Sequence, residues 1–383
     1  MIIGIDVRAL MHGRTSGVEN YIRSLLKALF EIDSENQYVL FYNSRKECQN
    51  FLPPFDGRRV KVARYRYPNK LLHLLWRFFK YPKIDKIILR KIGKQLDVLF
   101  VPDPRPSPVS KSVKKVTTFH DLVFERYPQH FSWKSRLWFA VLNPREEVRS
   151  STHLIAVSEF TKRELQELYC VEENKITVIP EAVPGKLKPE KDIFLLKTIR
   201  EKYALPENFF LTFSTLEPRK NLESVSKAYG IFQKKSPLET YRLVLAGRRD
   251  PLIFGKVFID DHPDILLPGF IDEADKAGLY TLASGMIFVS TYEGFGLPVL
   301  EAMACGTPVI ASNTTSIPEV TDDAAILVDP YDSEKIAEAM EKLTRPEIHE
   351  EYRQKGLQHV KQFSWLKAAK KTLKVFNGEA DEL

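Results

Sequence analysis

Cysteine is scarce in this chain. Only Cys48, Cys170 and Cys305 occur among 383 residues, with no close pair. That scatter argues against a disulfide framework or a zinc site and suits a reducing compartment. Long apolar runs are lacking as well. The longest uncharged run, 302–318, contains Pro308, Pro318 and many polar residues, so it does not read as a membrane span. Asp6 and Arg8 interrupt the apolar start, so the expectation is a cytoplasmic chain without a secretory leader. No G-x4-G-K-[ST] pattern occurs, so Asp272-Glu273-Ala274-Asp275, which spells a helicase box, reads as the acidic start of a helix. Asp260-Asp261-His262 reads as a polar turn rather than a metal site, and no D-x-D stands at a strand end. What is present is ordinary for a globular protein, 44% hydrophobic and 28% charged, and long enough for two domains with real cores.

The net charge is +7, and its distribution is uneven. Residues 58–91 carry twelve Lys and Arg against the single acid Asp85, a local excess larger than that of the whole chain. Leu71, Leu72, Leu74, Leu75, Trp76, Phe78 and Phe79 are interleaved with this charge. A basic, aromatic, amphipathic stretch suits an anionic membrane surface. A core helix with a solvated basic face fits the same residues. Nucleic acid is disfavoured because no groove-reading or stacking motif accompanies the charge.

Apolar runs at 2–5, 38–42, 98–101, 116–119, 153–157 and 176–179 read as buried strands, alternating with helical patterns at 19–30, 132–150 and 159–168. Ser158 is placed to cap the last of these helices. The loop His12-Gly13-Arg14-Thr15-Ser16-Gly17 joins the first strand to the first helix, where an α/β sheet approaches a ligand, although an ordinary turn fits too. His120-Asp121 stands at a strand's carboxyl end, which is also a ligand-lining position. The segment 180–192, PEAVPGKLKPEKD, has no apolar period and reads as the domain boundary.

A second α/β series follows, with strands at 209–214, 243–246, 265–268, 286–290 and 307–311. Arg219 and Lys220 follow the first of these strands and suit a diphosphate; a solvated basic turn is the alternative. Gly247-Arg248 and Gly269-Phe270 end the next two. The stretch 286–311 reads as strand, glycine turn, helix and strand. Gly294 and Gly296 allow a tight turn, Pro298 suits a first helical turn, and Gly306 stops the helix. Such a helix N-terminus favours a phosphate. Glu293 and Glu301 flank that turn, one helical turn placing Glu301 below Leu297. Acids so close to a phosphate site suit hydroxyls of a ribose or sugar. A helix-dipole charge for Glu301 and a loop charge for Glu293 are the bland alternatives. Helical patterns at 333–343 and 346–360 follow, then a last helix opened by Ser364 as its cap.

The run Glu293-Gly-Phe-Gly-Leu-Pro-Val-Leu-Glu301-Ala-Met-Ala-Cys-Gly-Thr-Pro-Val-Ile resembles the E-x7-E motif of retaining glycosyltransferases of family 4, which have the GT-B fold. The resemblance covers most of the chain and is strongest from Phe209 to Asp329. It implies two Rossmann-like α/β domains facing across a cleft: residues 1–185, acceptor-binding and joined by a C-terminal helix 364–378 that crosses back, and residues 186–363, donor-binding. It implies transfer of a hexose from a nucleotide diphosphate sugar to a glycan or lipid-linked acceptor, with retention and without a metal or other cofactor. General similarity to mannosyltransferases of surface-polysaccharide assembly makes mannose from GDP-mannose the first assignment. By the same resemblance Glu293, Lys220, Arg219 and His120 serve catalysis. Gly17, Gly294, Phe295, Gly296, Leu297, Glu301 and Arg248 bind the donor. Gly17-Val18-Glu19-Asn20-Tyr21 is similar to the family's G-x-G-x-Y, with Glu19 in place of the second glycine. A sugar-nucleotide epimerase of GT-B fold and a non-catalytic sugar-nucleotide binder remain as alternatives. The expected partners are the donor, the acceptor and an anionic membrane surface met through 58–91, on the inner face of the membrane; nucleic acid is not expected.

Overall fold

The computed structural model describes residues 1–12, 17–235, 241–248, 253–254, 259 and 262–380. Thus Gly13, Arg14, Thr15 and Ser16 of the first glycine loop, and Asp260 and Asp261, lie outside the described residues. The chain divides into two compact units. One comprises Met1–Glu125, Arg136–Glu181 and Ser364–Leu383; the other comprises Arg126–Ser135 and Ala182–Phe363. The decapeptide Arg126–Ser135 therefore groups with the second unit, although its place in the chain is inside the first. It is held there by contacts such as the 5.5 Å edge-on approach of the Tyr127 and Tyr292 rings and the hydrogen bond from Ser132 N to Ile253 O.

The first unit is built on a seven-stranded sheet: β1 (Ile2–Asp6), β2 (Gln37–Asn43), β3 (Val60–Tyr65), β4 (Val98–Val101), β5 (Lys114–Phe119), β6 (His153–Ala156) and β7 (Ile176–Val178). Their spatial order is β3-β2-β1-β4-β5-β6-β7, and the paired neighbours are parallel. The central strands read as continuous apolar runs because helices cover both faces. Ile3, Ile5, Leu40, Phe100, Val116 and Ile155 are buried in one core cluster, joined there by Val375 and Phe376 of the C-terminal helix Trp365–Asn377. Lys114 Nζ donates to Val375 O at 2.6 Å and so caps the end of that helix.

The second unit repeats the plan with β8 (Phe209–Phe213), β9 (Arg242–Ala246), β10 (Ile265–Gly269), β11 (Gly285–Phe288), β12 (Val309–Ser312) and β13 (Ile326–Val328), in the order β10-β9-β8-β11-β12-β13. In both sheets the order runs outward from the first strand and then reverses. The carboxyl edge beside that reversal is where open α/β sheets bind ligands. In the second unit it lies between β8 and β11.

Several local expectations change. The helix expected over 132–150 is two helices, Trp133–Leu142 and Pro144–Ser150, broken at Asn143 with φ 48°. Pro144 is tolerated at a helix start but excludes a helical residue before it. The basic segment 58–91 is not one amphipathic stretch. It contains the edge strand β3 and two helices, Asn69–Phe79 and Ile84–Ile92. Ser364 sits at the N-cap of the last helix but makes no side-chain capping bond there, whereas Ser158 Oγ accepts from Thr161 N as expected.

Candidate active site

The turns after β8 and β11 meet at the reversal of the second sheet. Residues 218–220 form a single tight turn, and Asn221 adopts φ 54° to leave it. Thr291 N donates to Arg219 O at 2.8 Å, tying the two turns together. Four charged side chains converge on this tie. Arg219 Nη1 donates to Glu293 Oε2 at 2.5 Å and to Tyr292 O at 3.0 Å, and its Nε lies 2.7 Å from Glu217 Oε1. Lys220 Nζ donates to Glu293 Oε1 at 2.6 Å and lies 4.6 Å from the Phe288 ring centroid. Ser316 Oγ donates to the carbonyls of Glu293 and Phe295 at 3.0 and 3.1 Å, which fixes the far side of the turn.

Lys220 and Glu293 are both buried, so their electrostatics are strong. Burial pushes the Glu293 carboxyl up, but Arg219 and Lys220 outweigh it and bring its pKa to about 2. Glu293 is therefore a carboxylate that accepts hydrogen bonds and has no proton to give. Burial and the neighbouring Arg219 pull Lys220 down, while Glu293 and Glu217 pull it back up.

The helix Leu297–Ala304 starts from this turn. Gly296 occupies its N-cap at φ 102°, where a Cβ would stand 2.5 Å from Ile317 Cδ1. That position needs glycine both for its backbone and for its space. Pro298 falls in the first turn, as its missing N–H permits. Phe295 and Leu297 are buried beside it. Glu301 lies within the helix and is also buried, with both oxygens engaged. Lys276 Nζ donates to Oε1 at 2.6 Å, and Tyr280 Oη donates to Oε2 at 3.1 Å. Burial raises the Glu301 carboxyl, and its partners offset this only in part. The Tyr280 hydroxyl is pushed well above its ordinary value by burial and by Glu301.

Arg248 is exposed at the end of β9, its guanidinium carbon 4.9 Å from the Phe270 ring centroid, and its carbonyl accepts from Leu216 N at 2.9 Å. Gly247 before it has φ 142°, and a Cβ there would meet Ser214 O at 1.7 Å. The backbone at this edge is thus closely packed against the end of β8.

In the first unit Gly17 is the exposed first residue of the helix Gly17–Ile32, and among the described residues nothing lies within 4 Å of where a Cβ would stand. Glu19, at the position of the expected second glycine, is buried. His120 follows β5. Its Nδ1 lies 2.9 Å from Glu181 Oε1, its Nε2 lies 2.9 Å from Pro102 O, and Tyr21 packs edge-on at 4.6 Å. Both partners are acceptors, so both ring nitrogens donate only when the imidazole is protonated. Burial lowers its pKa, but the Glu181 hydrogen bond and charge outweigh that and raise it. His120 is thus held in place in the first unit with its affinity for a proton raised.

The structure brings Arg219, Lys220 and Glu293 together and seats Glu301 in a separate buried cluster of the same unit. Reading the sequence missed Glu181, Glu217, Lys276 and Tyr280. Glu217 stands two residues before Arg219, which is the only one of these signals visible in the sequence. Among the described residues, no group of three or more His, Cys, Asp or Glu is placed to hold a metal ion.

Residues 197–359 match the family model described as Glycosyl transferases group 1, and residues 15–184 match Glycosyltransferase Family 4. The O-antigen chain mannosyltransferase B of Escherichia coli is 31% identical over 271 residues, which make up 69% of this chain and 70% of that protein. The serotype-specific mannosyltransferase WbdA of Escherichia coli is 28% identical over 264 residues, 67% of this chain but only 32% of the length of that protein. The structure of Anabaena HepE in complex with UDP-glucose shares the fold at a TM-score of 0.70 and 16% identity, covering 99% of this chain and 100% of that one. The chain belongs to the group 1 and family 4 glycosyltransferases, GT-B enzymes that move a sugar from a nucleotide sugar.

Proposed function

We propose that this enzyme transfers mannose from GDP-mannose to a hydroxyl of a glycan or lipid-linked acceptor, with retention at the anomeric carbon and without a metal. The observation that carries the transfer chemistry is the ionised Glu293 clasped by Arg219 and Lys220 at the carboxyl edge between β8 and β11. Charge grows on the leaving diphosphate as the bond to the anomeric carbon breaks. Arg219, Lys220 and the N–H groups opening the helix Leu297–Ala304 stabilise that charge. Glu293 accepts from sugar hydroxyls, Glu301 from the ribose, and the exposed Arg248 with Phe270 lines the base. Within the first unit, His120 is assigned a contact to a sugar hydroxyl and Gly17 a close backbone approach to a phosphate.

A carboxylate held by two cations is a poor nucleophile, which favours a front-face route over a covalent glycosyl-enzyme. In that route the acceptor oxygen bonds the anomeric carbon on the side the diphosphate leaves. The acceptor proton passes to the departing phosphate oxygen, so no protein base is required. Mannose is supported by the mannosyltransferases to which the chain is similar. The acceptor is proposed to lie at the cytoplasmic face of a membrane.

Incubation with labelled GDP-mannose and UDP-glucose, with and without membrane extract, tests this reading. Membrane-dependent release of GDP with an α-linked product, unaffected by chelator, is expected. Turnover of UDP-glucose alone overturns the donor assignment. An epimerised sugar nucleotide, or binding without turnover, overturns transfer.

A further inference from the structure

We propose that the outward face of the helix Asn69–Phe79, with the neighbouring helix Trp133–Leu142, docks on an anionic phospholipid bilayer. The first helix has two apolar stripes where a surface helix has one. Leu72 and Trp76, at i and i+4, are buried in the core cluster with Phe41 and Ile88. Leu71, Leu74 and Phe78, at i, i+3 and i+7, face outward and are 45%, 45% and 69% exposed. Phe79 and Tyr81 continue this surface at the helix end, 74% and 59% exposed. The core is already served by the inner stripe, so packing within the unit does not account for the outer one.

The second helix extends the same face. The His73 ring meets Trp138 edge-on at 5.3 Å, and Leu137 and Trp138 are exposed. Although its sequence WKSRLWFAVL is largely apolar, that helix buries no residue. Exposed Trp, Tyr and Phe beside Leu suit a membrane interface.

Charge selects the occupant. Arg77 lies with its guanidinium carbon 5.7 Å from the Phe78 ring centroid, and Lys83 and Arg136 stand in or beside the two helices. Of the acids nearby, Asp85 is buried and accepts from Ser110 N at 3.0 Å, and Glu146 pairs with Lys80. A positive rim around an apolar patch matches anionic lipid. A second copy of the chain would set this rim against itself. Among the described residues no helix is long and apolar enough to cross a membrane, so the surface would lie on the bilayer.

Arg59, just before β3, and Arg64, within it, do not belong to this surface. Arg59 donates to Phe30 O at 3.2 Å and to Asp33 O, and Arg64 donates to Ser44 O at 3.0 Å and to Arg45 O. Both heads are occupied by backbone carbonyls, at the end of the helix Gly17–Ile32 and in the loop after β2.

Flotation of the full chain tests the proposal, using phosphatidylcholine vesicles with and without phosphatidylglycerol at low and high salt. No sugar donor is needed, so failure here leaves the reading of sugar transfer untouched. The protein is expected to float with phosphatidylglycerol vesicles at low salt and much less at high salt or on phosphatidylcholine alone. Leu74→Ser with Phe78→Ser is expected to lower the bound fraction about tenfold. Arg77→Gln with Arg136→Gln, changes that leave packing intact, should weaken binding to anionic vesicles only. Arg59→Gln should bind as the parent does. The proposal is overturned if the parent stays at the bottom of both gradients, or if the double variants float like it. It also fails if the apolar variant abolishes only a concentration-dependent dimer, since the face would then join two copies.

Discussion

Glu293 and Glu301 stand eight residues apart on one turn-and-helix unit, are buried to a similar depth, and are shifted in opposite directions. Glu293 faces two cations, Arg219 and Lys220, and its pKa falls to about 2. Glu301 faces one cation, Lys276, and a neutral hydroxyl, and its pKa rises. Burial pushes both carboxyls up; two cations outweigh it at Glu293, whereas one cation and the like charge of Glu273 leave Glu301 raised. The turn therefore holds a permanent charge, whereas the helix holds an acid that has kept its affinity for a proton. These are suitable properties for two jobs: a fixed partner for groups around the reacting bond, and a reader of hydroxyls further along the donor.

The largest effect is expected from the turn. Lys220→Ala removes one of its two cations and, on the proposed chemistry, should lower turnover about 100-fold or more. Steady-state kinetics with saturating donor check this. Near-normal turnover would take Lys220 out of the chemistry and leave Arg219 or Arg248 as the working cation.

The two carboxylates also predict opposite responses to pH. The folded protein favours ionised Glu293, whose pKa lies below the ordinary 4.5. Its contribution to stability is present above pH 4.5 and is lost as pH falls toward 2. Glu301 has the reverse sign. Its folded pKa is raised, so stability falls as pH rises from 4.5 through that raised value. Thermal unfolding of Glu293→Gln and Glu301→Gln beside the parent, between pH 3 and 7, separates the two. The penalty of Glu293→Gln should shrink on acidification, and that of Glu301→Gln should not. Parallel curves would mean that the neighbouring charges do not govern the pair.

Much of this was legible in the sequence, for identifiable reasons. The central strands of both sheets are covered on both faces, so they appear as unbroken apolar runs. The turn advertises itself through Gly296 and Pro298, whose backbone demands few other residues meet. The edge strand β3 was not legible, because Lys61 and Arg64 interrupt it and its neighbours are basic. Lys276 was missed for a different reason. It lies 25 residues from Glu301, and only the packing of the helix Lys276–Leu282 against Leu297–Ala304 brings the two together. In the sequence Lys276 merely follows the acidic run 272–275. Two of those acids, Asp272 and Asp275, pair with Lys202 at 2.6 Å, another contact that spacing does not reveal. Charge was easy to count along 58–91 and hard to locate, since Arg59 and Arg64 point back into the protein while the exposed apolar stripe lies on the next helix.

A smaller effect is expected at the helix carboxylate itself. Glu301→Gln keeps the size and removes the carboxylate from the proposed acceptor of ribose hydroxyls. A hydrogen bond to a charged group contributes about 1.5–3 kcal/mol, so donor affinity should fall about tenfold or more while turnover at saturation changes little. Calorimetric titration with GDP-mannose reads it. Unchanged affinity would confine Glu301 to its ion pair with Lys276.

The smallest effect should come from Tyr280→Phe, and it tests whether Glu301 works as a prepared acceptor. Lys276 is the wrong residue for this purpose, because removing it leaves a buried carboxylate with no cation and threatens the fold. Tyr280 offers a gentler change. Its ring keeps its edge contact with Phe213, and its carbonyl still accepts from Thr307 Oγ1 at 2.6 Å. Only the 3.1 Å donation to Glu301 Oε2 is lost. A neutral donor at that distance contributes about 1 kcal/mol, so donor affinity should weaken about threefold to fivefold with turnover unchanged. The same bond holds Glu301 toward its ionised form, so its loss should raise the carboxyl further and move the acid limb of donor binding to higher pH. A variant with weaker binding but an unmoved acid limb would mean that the hydroxyl orients the helix without setting the charge of Glu301. If Tyr280→Phe weakened binding as much as Glu301→Gln does, the hydroxyl rather than the carboxylate would be the group the donor depends on.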